Sequence, residues 1–195
     1  VKLSDSFLII SLGPIFFLLV FHHEFLGQAE RLGRILLGGS TVGTALAGTL
    51  LFWGVIGVGW GAYMLFSFLQ AAVLKKKTRK VASVFGYGLL PLVLGGYLAY
   101  YADMFIRKSW QIVPNILTLF AIDLGLKEFR LLTPTGTSTF LHIVILGGMF
   151  ASGYATYKIC RRLEGENLKL RHLALPFLTV LGFGVAYLAA IYEVH

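Results

Sequence analysis

Charge is scarce in this chain. Of its 195 residues only 9 are acidic, and the four charged types together make up 13%. Soluble domains carry about a quarter charged residues. Here 57% of the chain is hydrophobic and the mean hydropathy is +0.79. A water-soluble fold of this length could not hide so much apolar surface. Cysteine is almost missing. The single Cys160 excludes an internal disulfide, and it excludes any zinc or iron–sulfur site built from several cysteines of this chain. No HExxH motif occurs, and no glycine-rich phosphate loop runs into Lys-Ser/Thr. No nucleophile–base arrangement stands out, so no catalytic residue is assigned.

What is present is long apolar runs. A membrane span needs about 20 apolar residues, and five segments qualify. They run from about Ser6 to Phe21, within Ile35 to Leu74, from about Val81 to Ile106, from about Ser138 to Tyr157, and from about Leu173 to Ile191. The expected fold is all-α, an integral membrane helical bundle forming a single transmembrane domain over 1–195. The 17 basic residues leave a net charge of +8. They cluster beside the apolar runs, at 75–80 and 158–171, which points to cytoplasmic or matrix-side loops rather than to nucleic acid. That sidedness places the N-terminus inside and His22, His23 and His195 outside. The chain begins on Val1 rather than Met, which leaves room for residues upstream.

The uncharged stretch Ile35 to Leu74 is long for one span. It reads either as one long helix approached through Gly38 to Gly48, or as a hairpin turning at "GVIGVGWG", Gly54 to Gly61. The hairpin makes six spans and moves His22 and His23 to the other side. The run has no Asn, Asp or Pro to turn on, and Gly57-x-x-x-Gly61 fits a helix packing face. One helix, and five spans, is the preferred reading. The first segment also has small residues at cleavage spacing in Gly27-Gln28-Ala29, as a secretory signal would, but it is kept as a span. Between spans, 107–137 forms an outer loop. There Ile116, Leu117, Phe120 and Leu124 recur at helical spacing, and Asn115, Asp123, Lys127 and Glu128 supply polar groups. This predicts an amphipathic helix, lying in the interface or capping the bundle.

Ionisable groups at span edges are functional candidates by default. "LLVFHHEF" places His22, His23 and Glu24 at the end of the first span, and "STFLHIVILGG" places His142 at the outer start of the fourth. Two neutral imidazoles from facing helices can hold a b-type haem iron axially. Gly147, Gly148, Ala151, Ser152 and Gly153 would then let a flat ring, or another helix, approach. The alternative is that these histidines are interfacial, bonded to water, headgroups or Glu24. A second polar cluster, "GGYLAYYADMF", offers Tyr97, Tyr100, Tyr101 and Asp103. With Glu24 and His23, these are candidates for a quinone pocket or proton relay. The plainer reading of the tyrosines is an interfacial aromatic belt, and Asp103 is spaced to pair with Arg107. His172 reads as a solvated or headgroup-facing residue.

The run Phe85 to Tyr100, "FGYGLLPLVLGGYLAY", resembles a helix of membrane-bound polyferredoxin-type electron-transfer proteins. There a tyrosine and a Leu/Ile-Pro precede His-Leu-Ala-His. The fourth span, "LHIVILGGMFASGYATYKICRRL", is similar to their Gly-rich helix ending in Ser-x-Tyr-x-x-Tyr-Lys/Arg. Together the runs cover about a fifth of the chain. The two family histidines fall on Tyr97 and Tyr100, and no cysteine cluster is present. The resemblance therefore implies a place in a redox complex, with any iron–sulfur module on another chain.

The reading that follows is a membrane subunit of a respiratory-type electron-transfer complex in a bacterial or organellar inner membrane. It would be a non-catalytic subunit of an oxidoreductase, contacting lipid and an iron–sulfur or cytochrome subunit, and holding quinone or one haem b. The alternatives are a cofactor-free structural or assembly subunit and a small transporter or channel. Inverted repeats, the usual mark of a transporter, are not evident.

Overall fold

The computed structural model describes residues 2–120 and 132–193. Among the described residues there are seven α-helices: α1 (Leu3–Val20), α2 (His22–Leu37), α3 (Thr41–Leu74), α4 (Thr78–Lys108), α5 (Ile112–Thr118), α6 (Pro134–Glu164) and α7 (Leu170–Glu193). Among the described residues there is no strand. Five helices, α1, α3, α4, α6 and α7, are long and apolar enough to cross a membrane. The chain is an all-α integral membrane protein. α3 runs unbroken through Gly54 to Gly61, so the six-span hairpin does not form. Between α4 and α6, α5 holds Ile116 and Leu117. The expected continuation through Asp123, Leu124, Lys127 and Glu128 lies outside the described residues.

Helix ends follow local chemistry. At "GGS", Gly38 closes α2 with φ +64° and Gly39 follows with φ +81°, a left-handed region that glycine enters without penalty. Ser40 then caps α3, its Oγ accepting the Gly43 N–H at 3.1 Å, a standard N-cap role for serine. Thr133 does the same for α6 through the Gly136 N–H, with Pro134 in the first turn.

α4 is the most buried span and α3 the least. α4 packs against α1, α3, α6 and α7. In lipid the hydrophobic effect does not press helices together, so close contact rests on small residues and interhelical hydrogen bonds. The α4–α6 seam is built that way. Gly95 meets Gly148, and Gly88 meets Thr156. Between them the Leu92 N–H, just after the Pro91 ring, donates to Ser152 Oγ at 2.8 Å. Gly148 and Ser152 thus receive a neighbouring helix, and Gly153 receives the Phe177 ring of α7. By contrast, a Cβ at Gly54, Gly57 or Gly61 would meet nothing within 4 Å. The expected glycine packing face of α3 has no partner inside the described residues.

These contacts set directions. α1 and α4 run parallel, with Ser6 at Gly86 and the Tyr97 hydroxyl on the Leu12 carbonyl. α6 is antiparallel to α4, and α7 is antiparallel to α6. The start of α1, the α3–α4 turn and the α6–α7 turn therefore gather at one end. Both basic stretches lie there, bridged by Lys76 to Glu164 at 3.6 Å.

α2 is the element that hydropathy does not announce. Pro14 of α1 lies against Gly59, Ala29 of α2 near Gly48, and Gly33 of α2 against Thr44. α1 and then α2 thus follow α3 in order, antiparallel to it. α3 has 34 residues, so it is about 51 Å long at about 1.5 Å per residue. A hydrocarbon core spans about 30 Å. Its first turns, paired with α2, form a helical hairpin carried past the end of the bundle farthest from the basic turns.

Candidate functional site

The far end of the bundle gathers aromatic rings around Phe16, which is fully buried. Tyr187 lies 4.5 Å from it between ring centroids, Tyr97 5.5 Å, Phe17 5.6 Å and Tyr100 6.2 Å. Tyr101 stacks on Tyr97 at 6.4 Å and is otherwise exposed. Three helices supply this cluster because Gly13 and Gly96 leave room for the Tyr187 ring between α1 and α4.

Most of the polar atoms here are engaged. The Tyr97 hydroxyl donates to the Leu12 carbonyl at 2.9 Å. Asp103 is 7% exposed and is held in a two-point pair by Arg107, whose Nε donates to Oδ1 at 2.9 Å. That pairing commits both carboxylate oxygens of Asp103 to Arg107. Tyr187 differs. It is fully buried and, among the described residues, its hydroxyl has no hydrogen-bond partner. Sequence reading passed over it. The signal was Gly96, whose missing side chain leaves the space on α4 that the Tyr187 ring fills.

The histidines occupy different surroundings. His22 and His23 open α2, both exposed, with ring centroids 3.8 Å apart. Glu24 follows them, also exposed. His142 is half-buried on α6, its Nδ1–H donating to the Ser138 carbonyl at 2.6 Å. The helices that carry them do not pack on each other: α2 lies along α3, whereas α6 lies on α4 and α7. The structure thus brings Tyr97, Tyr101 and Asp103 to one end of α4 but does not join His22 or His23 to His142. Among the described residues, no group of three or more His, Cys, Asp or Glu is placed to hold a metal ion.

A buried polar cluster at the basic end was also missed. His172 is 4% exposed rather than solvated. The Lys169 N–H donates to its Nδ1 at 3.3 Å, and Glu164 lies 4.0 Å from the same atom. Its carbonyl is the one that Pro176, four residues on, cannot reach with an N–H. Gln70 Nε2 donates to that carbonyl at 2.8 Å and Cys160 Sγ at 3.5 Å. Side chains from α3 and α6 thereby replace a missing rung in α7. The proline at 176 was visible in the sequence, but the residues that compensate it lie far away along the chain.

No known protein family, curated protein or solved structure matches the chain.

Proposed function

We propose that the chain is a membrane anchor subunit of a respiratory-type electron-transfer complex. It holds redox partner subunits at the membrane and carries no haem of its own. Its basic turns face the cytoplasm or matrix, following the positive-inside rule, which puts the α2–α3 hairpin on the opposite face. The resemblance of the fourth and sixth helices to polyferredoxin-type membrane proteins supports the redox setting. The commitment of Tyr97 and Asp103 to contacts within the bundle supports anchoring over cofactor chemistry.

The hairpin is the observation that carries this reading. It bears His22, His23, Glu24, Glu30, Arg31 and Arg34, too much charge for hydrocarbon. Yet its tip exposes Ile35 at 80%, Leu37 at 51% and Val42 at 66%. Apolar side chains on a polar projection are the mark of a protein contact, here with a partner subunit of the same complex.

Replacing Ile35 and Val42 together by Glu tests it. Both are exposed, so the bundle keeps its fold. An interface hot spot is worth about 2 kcal/mol or more, so each change loosens the contact about thirtyfold. Native electrophoresis of gently solubilised membranes should show the chain released from a larger assembly, with loss of the assembly's quinone-linked reductase activity. An assembly of unchanged size and activity rejects the hairpin as the docking element.

A second reading, in which the chain supplies an axial ligand to a b-type haem, has one observation in its favour. Because His142 Nδ1–H is given to a backbone carbonyl, its Nε2 keeps a lone pair, the usual arrangement for a histidine ligand.

A further inference from the structure

A cleft of about 700 Å³ opens between the first turns of α4 and the last turns of α6, at the basic end. One wall is apolar, formed by Val84, Ala155 and Ile159. Its rim carries Lys158, Arg161 and Arg162. Lys158, which lines the cleft, also has its Nζ 5.3 Å from the centroid of the Tyr154 ring one turn earlier on α6. Among the described residues no carboxylate pairs with any of the three cations. Glu164, the nearest acid along the chain, is turned the other way, toward Lys76 and His172. The hydroxyl of Tyr87, which also borders the cleft, is spent on Asp5 at 2.9 Å.

The dipole of α6 favours cations at its C-terminal end, and long basic side chains reach for the headgroup layer. Neither explains an open, greasy cleft behind them. Three cations with no carboxylate partner among the described residues, above an apolar wall and between membrane-spanning helices, call for a ligand with an anionic head and a hydrocarbon tail. We propose that this cleft is a specific site for one anionic phospholipid. The phosphate would sit among Lys158, Arg161 and Arg162, and an acyl chain would lie along Val84, Ala155 and Ile159. A free phosphate would satisfy the cations but leave that wall uncovered. The lipid would fill the α4–α6 cleft beside the Gly88–Thr156 contact, sealing the end of the seam that holds these helices together. This inference does not depend on the proposed redox role.

Native mass spectrometry of the detergent-solubilised full chain, titrated with phosphatidylglycerol or phosphatidylcholine, tests it. One phosphatidylglycerol per chain should persist after phosphatidylcholine has left. Each cation near a membrane surface contributes roughly fivefold to anionic-lipid binding. Combining Lys158→Gln, Arg161→Gln and Arg162→Gln should therefore weaken retention about a hundredfold. Lys77→Gln, Arg79→Gln and Lys80→Gln together remove the same charge elsewhere at the basic end and should leave retention within about threefold, less than one direct contact is worth. Ala155→Phe, which fills the cleft without changing charge, should also abolish the tight lipid. Equal loss in both triple variants would mean diffuse surface attraction and overturn the site. Phosphatidylcholine held as tightly, or displacement of the lipid by millimolar inorganic phosphate, would overturn the anionic-lipid assignment.

Discussion

Gly96→Val should unfold the protein. A Cβ at Gly96 would collide with Cε1 and Cδ1 of the Tyr187 ring, and Tyr187 is fully buried with Phe16 packed on it. The ring cannot swing aside without moving α1 or α7. Overpacking costs about 1–3 kcal/mol when a core can give. This position should reach or exceed the top of that range. Cys160 supplies the readout, because it is the only cysteine and is fully buried. A thiol-reactive dye in detergent should label it only on opening, and Gly96→Val should be labelled without heating. Gly57→Ala is the control. Nothing lies within 4 Å of a Cβ there, and alanine favours a helix over glycine by about 1 kcal/mol. It should hold or raise the midpoint. If Gly96→Val resists labelling as well as Gly57→Ala does, the α1–α4–α7 junction is misassigned.

The second expected effect is a coupling. Gln70→Leu takes the donor away from the His172 carbonyl, which Pro176 leaves without its helical partner. Only the weaker, longer Cys160 thiol contact then remains on that carbonyl, so the cost is part of the about 1–3 kcal/mol of an unmet buried carbonyl. The change also removes Gln70 Oε1, which has no partner of its own among the described residues, so the single variant understates the bond. A double-mutant cycle isolates it. Pro176→Ala restores an N–H that can close onto His172. In that background Gln70→Leu should cost about 1 kcal/mol less than in the parent, measured by far-ultraviolet circular dichroism melting. Additive costs would mean that Gln70 does not serve as the replacement rung.

The five spans were legible because each carries enough apolar residues to cross a membrane, a one-dimensional property. α2 was not. Its residues from His22 to Arg34 read as a polar flank, and their amphipathic order gains meaning only when Ala29 and Gly33 find Gly48 and Thr44 across the hairpin. The stretch before Gly48, expected as an approach outside the core, is the first part of α3 itself. Glycine roles were misjudged for the same reason. Gly57 and Gly61 match a packing motif in spacing, yet the close contacts fall on Gly86, Gly95, Gly96 and Gly148, chosen by which face of each helix meets α4. Buried His172 shows the limit at the loops. Basic neighbours suggested solvent, while Gln70, more than a hundred positions away along the chain, draws its backbone inward.

Among the candidate cofactor groups, adjacency in sequence was a fair guide only within one helix. Tyr97, Tyr101 and Asp103 stay together on α4, whereas matching His22 or His23 to His142 required two helices to face each other. They lie instead on different sides of the bundle's packing scheme. Tyr187 entered the far-end cluster from a third helix, through a gap that glycine makes.

The most direct test of a haem-free anchor is a dithionite-reduced minus oxidised visible spectrum of the purified full chain, with pyridine haemochrome quantification. The account predicts no b-type α band from intact protein, and none lost on changing His142 to Ala. A band near one haem per chain that disappears with His142→Ala would contradict it and make the chain itself an electron carrier.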